Sequence, residues 1–143
     1  MVLSSSQIDK LGQRLRNHEP TEADLRELDE HRRSFENAYQ HVTEVIRDRL
    51  NLESTGRPAK STPSIVEKLR RESIRLSQVQ DIAGCRVIVR DSLQQDDVVT
   101  KLTEVFPSAS VVDRRSKPSH GYRAVHVIVS IEGKPVETHD FPD

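Results

Sequence analysis

Hydrophobic positions along the chain follow a helical rhythm in its first half and a strand rhythm in its second. Ile8, Leu11 and Leu15 recur at helical spacing after Ser6-Gln7-Ile8-Asp9, which has the form of a capping box, and Pro20 ends the pattern. Thr21-Glu22-Ala23-Asp24 repeats that cap. Leu25, Leu28, Phe35, Tyr39, Val42, Ile46 and Leu50 then fall three, four or seven apart, predicting one long amphipathic helix. Residues 51–63 lose both periods to Gly56, Pro58, Pro63 and several Ser and Thr, and read as a loop. Ser64-Ile65-Val66-Glu67 opens another helix as a capping box, with Ile65, Leu69 and Leu76 facing inward.

Beyond Asp81 the rhythm changes. Val87, Ile88 and Val89 suit a central strand, Gln94 to Phe106 a helix stopped by Pro107, and Ser110 to Asp113 a short strand. Ala124 to Ile131 alternates Val125, Val127, Val129 and Ile131 against Ala124, His126, Ile128 and Ser130. Glu132-Gly133-Lys134 is a hairpin turn, and Pro135 to His139 a return strand. The order after residue 63 is therefore α, β, α, β, β, β, which predicts an α/β or α+β domain with a mixed sheet and helices against it.

Composition narrows this only a little. The 143 residues, 34% hydrophobic and 31% charged, suit one domain with a small core, and a net charge of -1 gives no general attraction to nucleic acid or anionic membrane. The single Cys85 cannot form an internal disulfide and suits a reducing compartment. The N-terminus lacks a signal peptide's basic and apolar regions, and no apolar run reaches membrane-spanning length, so the expectation is a soluble cytoplasmic protein.

The helix faces carry mixed charges, and His31 and His41 read as surface or satisfied helix histidines. Gly-rich nucleotide loops, CxxC pairs, HExxH and GxSxG are missing. What stands out is Asp81-Ile-Ala-Gly-Cys-Arg86: an acid entering a strand, a glycine permitting close approach and an arginine within the strand. This reads either as the mouth of an active site or as a plain strand start with a solvated acid. The cations Arg57, Lys60, Lys68, Arg70, Arg71 and Arg75 suit a polyphosphate or a solvated basic face. Side-by-side strands would bring Asp81 and Glu137 together near one end of the sheet. Two carboxylates among Arg57, Lys60, Arg86, Tyr122 and His126 are what a magnesium-dependent nucleotide reaction requires.

Four stretches in order also carry a family likeness: Lys60-Ser-Thr-Pro-Ser64-Ile65 with Glu67-Lys68-Leu69, Asp81-Ile-Ala-Gly-Cys-Arg86-Val-Ile, His120-Gly-Tyr-Arg-Ala-Val-His126, and Val136-Glu137. Over residues 60–139 the chain resembles the synthetase domain of the RelA/SpoT family, of the small alarmone synthetase type. The resemblance implies a nucleotidyltransferase-like mixed sheet flanked by helices, with a helical region 1–50 leading into a synthetase domain 51–143. It implies Mg²⁺-dependent transfer of the β,γ-pyrophosphate of ATP to the 3′-hydroxyl of GDP or GTP, making (p)ppGpp. Asp81 and Glu137 would be the catalytic and metal-binding carboxylates, with Glu137 activating the hydroxyl. Arg57, Lys60, Ser64 and Arg86 would bind ATP, Ser64 capping its helix beside the phosphates and Arg86 packing on adenine. Lys117, Tyr122, Arg123 and His126 would bind the guanine nucleotide.

Two departures accompany the resemblance. Arg57 and Lys60 are separated by two residues where the family often has one, and the family's Glu-x-Gln-x-Arg-Thr is replaced by Glu137-Thr-His-Asp-Phe-Pro-Asp143. The expectation is a C-terminally truncated domain in which the Val125 to Ile131 strand exposes apolar faces. Two alternatives stand beside the synthetase: a toxin-like relative pyrophosphorylating adenosine nucleotides or the tRNA 3′ end, and an inactive nucleotide-binding remnant. A homo-oligomer is left open; a membrane partner and alarmone hydrolysis are not expected.

Overall fold

The computed structural model describes residues 3–113, 115 and 124–142. Its elements, in order, are α1 (Ser5–Asn17), α2 (Glu22–Arg33), α3 (Glu36–Arg49), β1 (Ser54–Arg57), α4 (Thr62–Arg71), a 3-10 turn at Leu76–Gln78, β2 (Ala83–Val89), α5 (Ser92–Val105), β3 (Ser110–Asp113), β4 (Val125–Ile131) and β5 (Lys134–Pro142). The predicted α, β, α, β, β, β order after residue 63 is present. The strands form one mixed sheet in the order β1-β2-β5-β4-β3, in which only β2 and β5 run parallel.

Alternation along the strands sorts the sheet into a core face and an open face. Val87 and Val89 of β2, Val125, Val127 and Val129 of β4 and Val136 of β5 are buried together with Val42 and Ile46 of α3 and Val98 and Leu102 of α5. Arg86 and Ile88 stand exposed on the opposite face, and Gly84, His126, Ile128, Glu137 and His139 share that face half-buried. The hairpin between β4 and β5 turns at Glu132 (φ 50°) and Gly133 (φ 79°), two successive left-handed residues that match the twist of the strands they join. The expected exposure of the β4 apolar face does not occur. β4 is paired on both edges, by β3 and β5, and α5 packs on it.

The structure departs from expectation in several places. Ser4, not Ser6, caps α1, in a box with Gln7, while the Thr21–Asp24 box is present as read. The single helix expected over 21–50 is two, because the Ser34 hydroxyl donates to the His31 carbonyl and closes α2 before α3 begins. Leu25 falls off the buried stripe, at 42% exposure. His31 is buried with its edge against Phe35, and burial, then the charge of Lys134, pushes its pKa down to about 4. Ser61 rather than Ser64 caps α4, accepting from the Ser64 backbone N–H. Finally, part of the expected 51–63 loop is the edge strand β1.

α1, α2 and α4 form a helical group tied to the rest through the loop after α4. Arg16 of α1 donates from Nε to Leu69 O (2.7 Å) and from Nη2 to Glu72 O (3.1 Å) and Ile74 O (2.7 Å). These are carbonyls at the end of α4 and just beyond it, which the helix itself cannot satisfy. Arg16→Ala is expected to destabilise the fold by about 1.5–3 kcal/mol, read from urea unfolding, because charged donors to otherwise unpaired carbonyls lie at the strong end of hydrogen bonding. An unchanged midpoint would show that water replaces the guanidinium there without loss. Among the described residues no helix is long and apolar enough to cross a membrane.

Candidate active site

β1 is an unusual strand. It has no hydrophobic alternation, and it docks because Gly56 lets it lie close to β2: a Cβ there would stand 2.3 Å from the Gly84 carbonyl oxygen and 2.6 Å from the Cys85 Cα. This pairing sets Thr55 opposite Arg86 and Arg57 opposite Gly84, while the parallel β2–β5 pairing sets Gly84 opposite Glu137 and Arg86 opposite His139. Two rows of polar side chains thus cross the open face. Gly84, having no side chain, leaves a gap between Arg57 and Glu137. A cleft of about 460 Å³ opens there, lined by residues of β1, β2 and β5 and by Asp81, which just precedes β2. That volume suits a nucleotide-sized ligand.

Asp81 is held by two lysines. Lys60 Nζ donates to Oδ2 at 2.8 Å and Lys68 Nζ to Oδ1 at 3.0 Å. Burial raises the Asp81 pKa, but the hydrogen bonds and charges of Lys60 and Lys68 outweigh it, so the carboxyl lies below its ordinary value. Lys60 is itself positioned by its backbone: its N–H donates to Ile82 O (2.5 Å), and its carbonyl accepts from Arg32 Nε of α2 (2.8 Å). The N-terminal helices therefore reach into the site. Lys68, one turn into α4 from Ser64, contacts Asp81, although in the sequence it sits within a general basic run. Its signal is its place on α4, the helix that the Lys60–Ser64 stretch leads into. Ser64 is in the first turn of α4, where its hydroxyl accepts from Ser61 (2.8 Å).

Glu137 faces the cleft from β5 and shares it with Asp81, whose charge it feels. Its Oε1 takes His126 Nδ1 at 3.1 Å, across from β4, and a hydrogen bond with His139 Nε2 two residues along its own strand. Burial raises its pKa, but the His139 hydrogen bond and the charges of His139 and His126 hold it below the usual carboxylate range. It is thus ionised at neutral pH, and a free carboxylate lone pair is what accepting a hydroxyl proton needs. His139, which stands where the family's glutamine would be, is by register and hydrogen bond a neighbour of both Arg86 and Glu137. Arg57 and Arg86 are exposed at the cleft. Lys117, Tyr122 and Arg123 lie outside the described residues. Cys85 lies under the cleft, its thiol pushed up to about 12 by burial and the nearby Asp140, and is not a nucleophile.

The arrangement offers ionised carboxylates for a hard cation and cations for phosphates, on a face that helices leave open. Residues 56–139 match the family described as the region found in RelA/SpoT proteins. The fold is similar to that of the small alarmone synthetase 1 from Bacillus subtilis bound to its product pppGpp, with 25% identity and a TM-score of 0.59 over 78% of this chain and 70% of that one. A second structure of the Bacillus subtilis small alarmone synthetase 1 matches at 26% identity and a TM-score of 0.53, over 77% and 70%. The Type VI effector Tas1, solved with its immunity protein, shares the fold at 17% identity and a TM-score of 0.61, over 78% and 57%. Among curated protein sequences none matches the chain.

Proposed function

The chain belongs to the RelA/SpoT family, and from that premise we propose that it transfers the β,γ-pyrophosphate of ATP to the 3′-hydroxyl of GDP or GTP, making (p)ppGpp and AMP. The observation that carries this reading is the meeting of Asp81 and Glu137, both ionised, in one cleft rimmed by Arg57 and Arg86. The pppGpp product bound by the Bacillus subtilis synthetase supports the choice of acceptor.

In this reaction the acceptor's 3′ oxygen attacks the β-phosphorus, the bond from that phosphorus to the α-phosphate oxygen breaks, and AMP leaves. Glu137 takes the hydroxyl proton. Lys60, Lys68 and Arg57 face the donor phosphates, Ser64 stands beside them at the start of α4, and Arg86 packs on the adenine. His126 turns to the acceptor's phosphates, with Lys117, Tyr122 and Arg123 completing that side. Such a transfer needs alignment and charge neutralisation rather than a covalent intermediate. Hard carboxylate oxygens of Asp81 and Glu137 on one cleft fit Mg²⁺. When bound there, the ion supplies neutralisation of phosphate charge. Lys60 and Lys68 neutralise Asp81, and both would have donor phosphate oxygens as further partners with nucleotide bound.

The test is AMP release by purified protein with ATP and Mg²⁺ and with GDP, GTP, adenosine nucleotides, tRNA or no acceptor. AMP formed only with a guanine nucleotide, and lost in Asp81→Asn, is the expected result. AMP formed with an adenosine nucleotide or tRNA instead would move the assignment to the toxin-like chemistry. No AMP from a folded sample would leave a nucleotide-binding remnant.

A further inference from the structure

We propose that His126, Glu137 and His139 form a binding site for a first-row transition-metal ion of the Zn²⁺ type. One nitrogen or oxygen from each lies within 4.8 Å of the others. The sheet creates this grouping. His126 of β4 and His139 of β5 are register partners, and their rings stack with centroids 4.2 Å apart and planes 25° from parallel. Glu137 precedes His139 by two residues and so stands on the same face. Both rings aim at one atom, since His126 Nδ1 and His139 Nε2 contact the same Glu137 Oε1.

Two imidazole nitrogens and one carboxylate oxygen are a borderline donor set. Zn²⁺ takes such donors at about 2.0–2.2 Å and keeps a further position open when only three protein ligands are present. A tetrahedral ion with bonds of that length needs donors about 3.4 Å apart, close to the 3.1 Å between His126 Nδ1 and Glu137 Oε1, so small shifts of the three side chains bring the set to that spacing. Mg²⁺ prefers oxygen and gains little from the two nitrogens. The side chains, at 15–28% exposure, are sheltered and still reachable from solvent. To bind, each ring presents its lone pair at the named nitrogen and carries its proton on the other, or releases a proton if both nitrogens held one. Binding itself does not depend on the synthetase reading. Its effect on activity does, since the same Glu137 is given there the acceptor's proton.

The test uses the purified full chain, stripped of metal and without nucleotide. Zn²⁺ titrated in a calorimeter is expected to bind one ion per chain with micromolar or tighter affinity and to raise the unfolding temperature. Co²⁺ in the same site is expected to give the intense visible bands of four or five ligands. His139→Gln, which keeps a polar partner for Glu137, is expected to weaken Zn²⁺ binding at least ~10-fold. His18→Gln, changing an exposed histidine elsewhere, is expected to leave it alone. No one-to-one binding, binding unaffected by His139→Gln, or only the weak spectrum of six-coordinate Co²⁺ would each overturn the site. The cobalt spectrum of the unmodified chain decides even if the variant folds poorly. A failed AMP assay alongside a positive titration would remove the synthetase reading and keep the metal site.

Discussion

Glu137→Gln is expected to cut AMP formation about 10²–10⁴-fold with the fold unchanged. Glutamine retains an oxygen that can accept from His126 and His139, and it occupies the same volume on the open face of β5, so packing has no reason to change. What it cannot do is take a proton. The pH dependence expected of the native protein's activity follows from the same environment. Its carboxyl is held below the ordinary glutamate value by His139 and His126. Activity should therefore not fall on the acid side until the pH drops below about 4.5, provided the protein stays folded. The measurement is kcat for AMP release across pH, for both forms, beside their circular dichroism. If Glu137→Gln keeps full kcat, the proton goes elsewhere and the carboxylate only positions the acceptor.

The second large effect concerns stability. Asp140 lies on the core face of β5, fully buried between Val125 of β4 and Val87 of β2 in register. Neither carboxylate oxygen has a hydrogen-bond partner among the described residues. Burial pushes its pKa up to about 7, with the charge of His139 working the other way. The folded protein therefore keeps this proton across roughly pH 4 to 7, where the unfolded chain has lost it, and stability falls as pH rises through that window. Three units correspond to about 4 kcal/mol.

His31 acts with the opposite sign. Its folded pKa is pushed down to about 4, so its contribution is complete above the unfolded value of 6.5 and is lost as pH falls toward 4. Over pH 4 to 6.5 the two slopes nearly cancel. Native stability is expected to be almost flat there and to show no loss peculiar to Asp140 above pH 8, where it is ionised in both states. Asp140→Asn removes one slope. At pH 5 the variant should already be more stable by about 1.5 kcal/mol, because the aspartate is neutral in the folded chain there but ionised in the unfolded one. At pH 8 it should be more stable by up to about 4 kcal/mol, and its stability should climb between pH 4 and 6.5. Urea unfolding at each pH measures this. Parallel curves for the two proteins would mean that Asp140 finds a charge partner in the folded state.

The fold was largely legible because its interior strands are written in β-branched residues at period two. β4 shows it most clearly, every second residue from Val125 being valine until Ile131. β1 was missed because an edge strand of Ser, Thr, Gly and Arg buries almost nothing, and its pairing rests on the close approach at Gly56 rather than on a hydrophobic pattern. The break between α2 and α3 was hidden for a different reason. Leu28 and Phe35 are seven apart and both buried, so the stripe stays in phase across the turn at Ser34. At the candidate site, the nearness of Asp81 and Glu137 follows from adjacent strands legible in the sequence, whereas the Lys68 contact with Asp81 depends on how α4 sits against the start of β2. Asp140 carried a signal that its residue type overrode. Alternation from Val136 through Thr138 places it inward, but an acid is a poor candidate for a dry core.

β5 shows what a sheet with one open face means for sequence change. Residues 136, 138 and 140 meet the interior, while 137 and 139 meet the cleft. A saturation scan through this strand should therefore split residue by residue, even positions shifting the amount of folded protein in the cell and odd positions shifting turnover or metal affinity per folded molecule. Selection can consequently retune the chemistry at 139 without first securing a compensating change in the core. A single-residue insertion before 136 would exchange the two sets, and no substitution elsewhere could repair both losses.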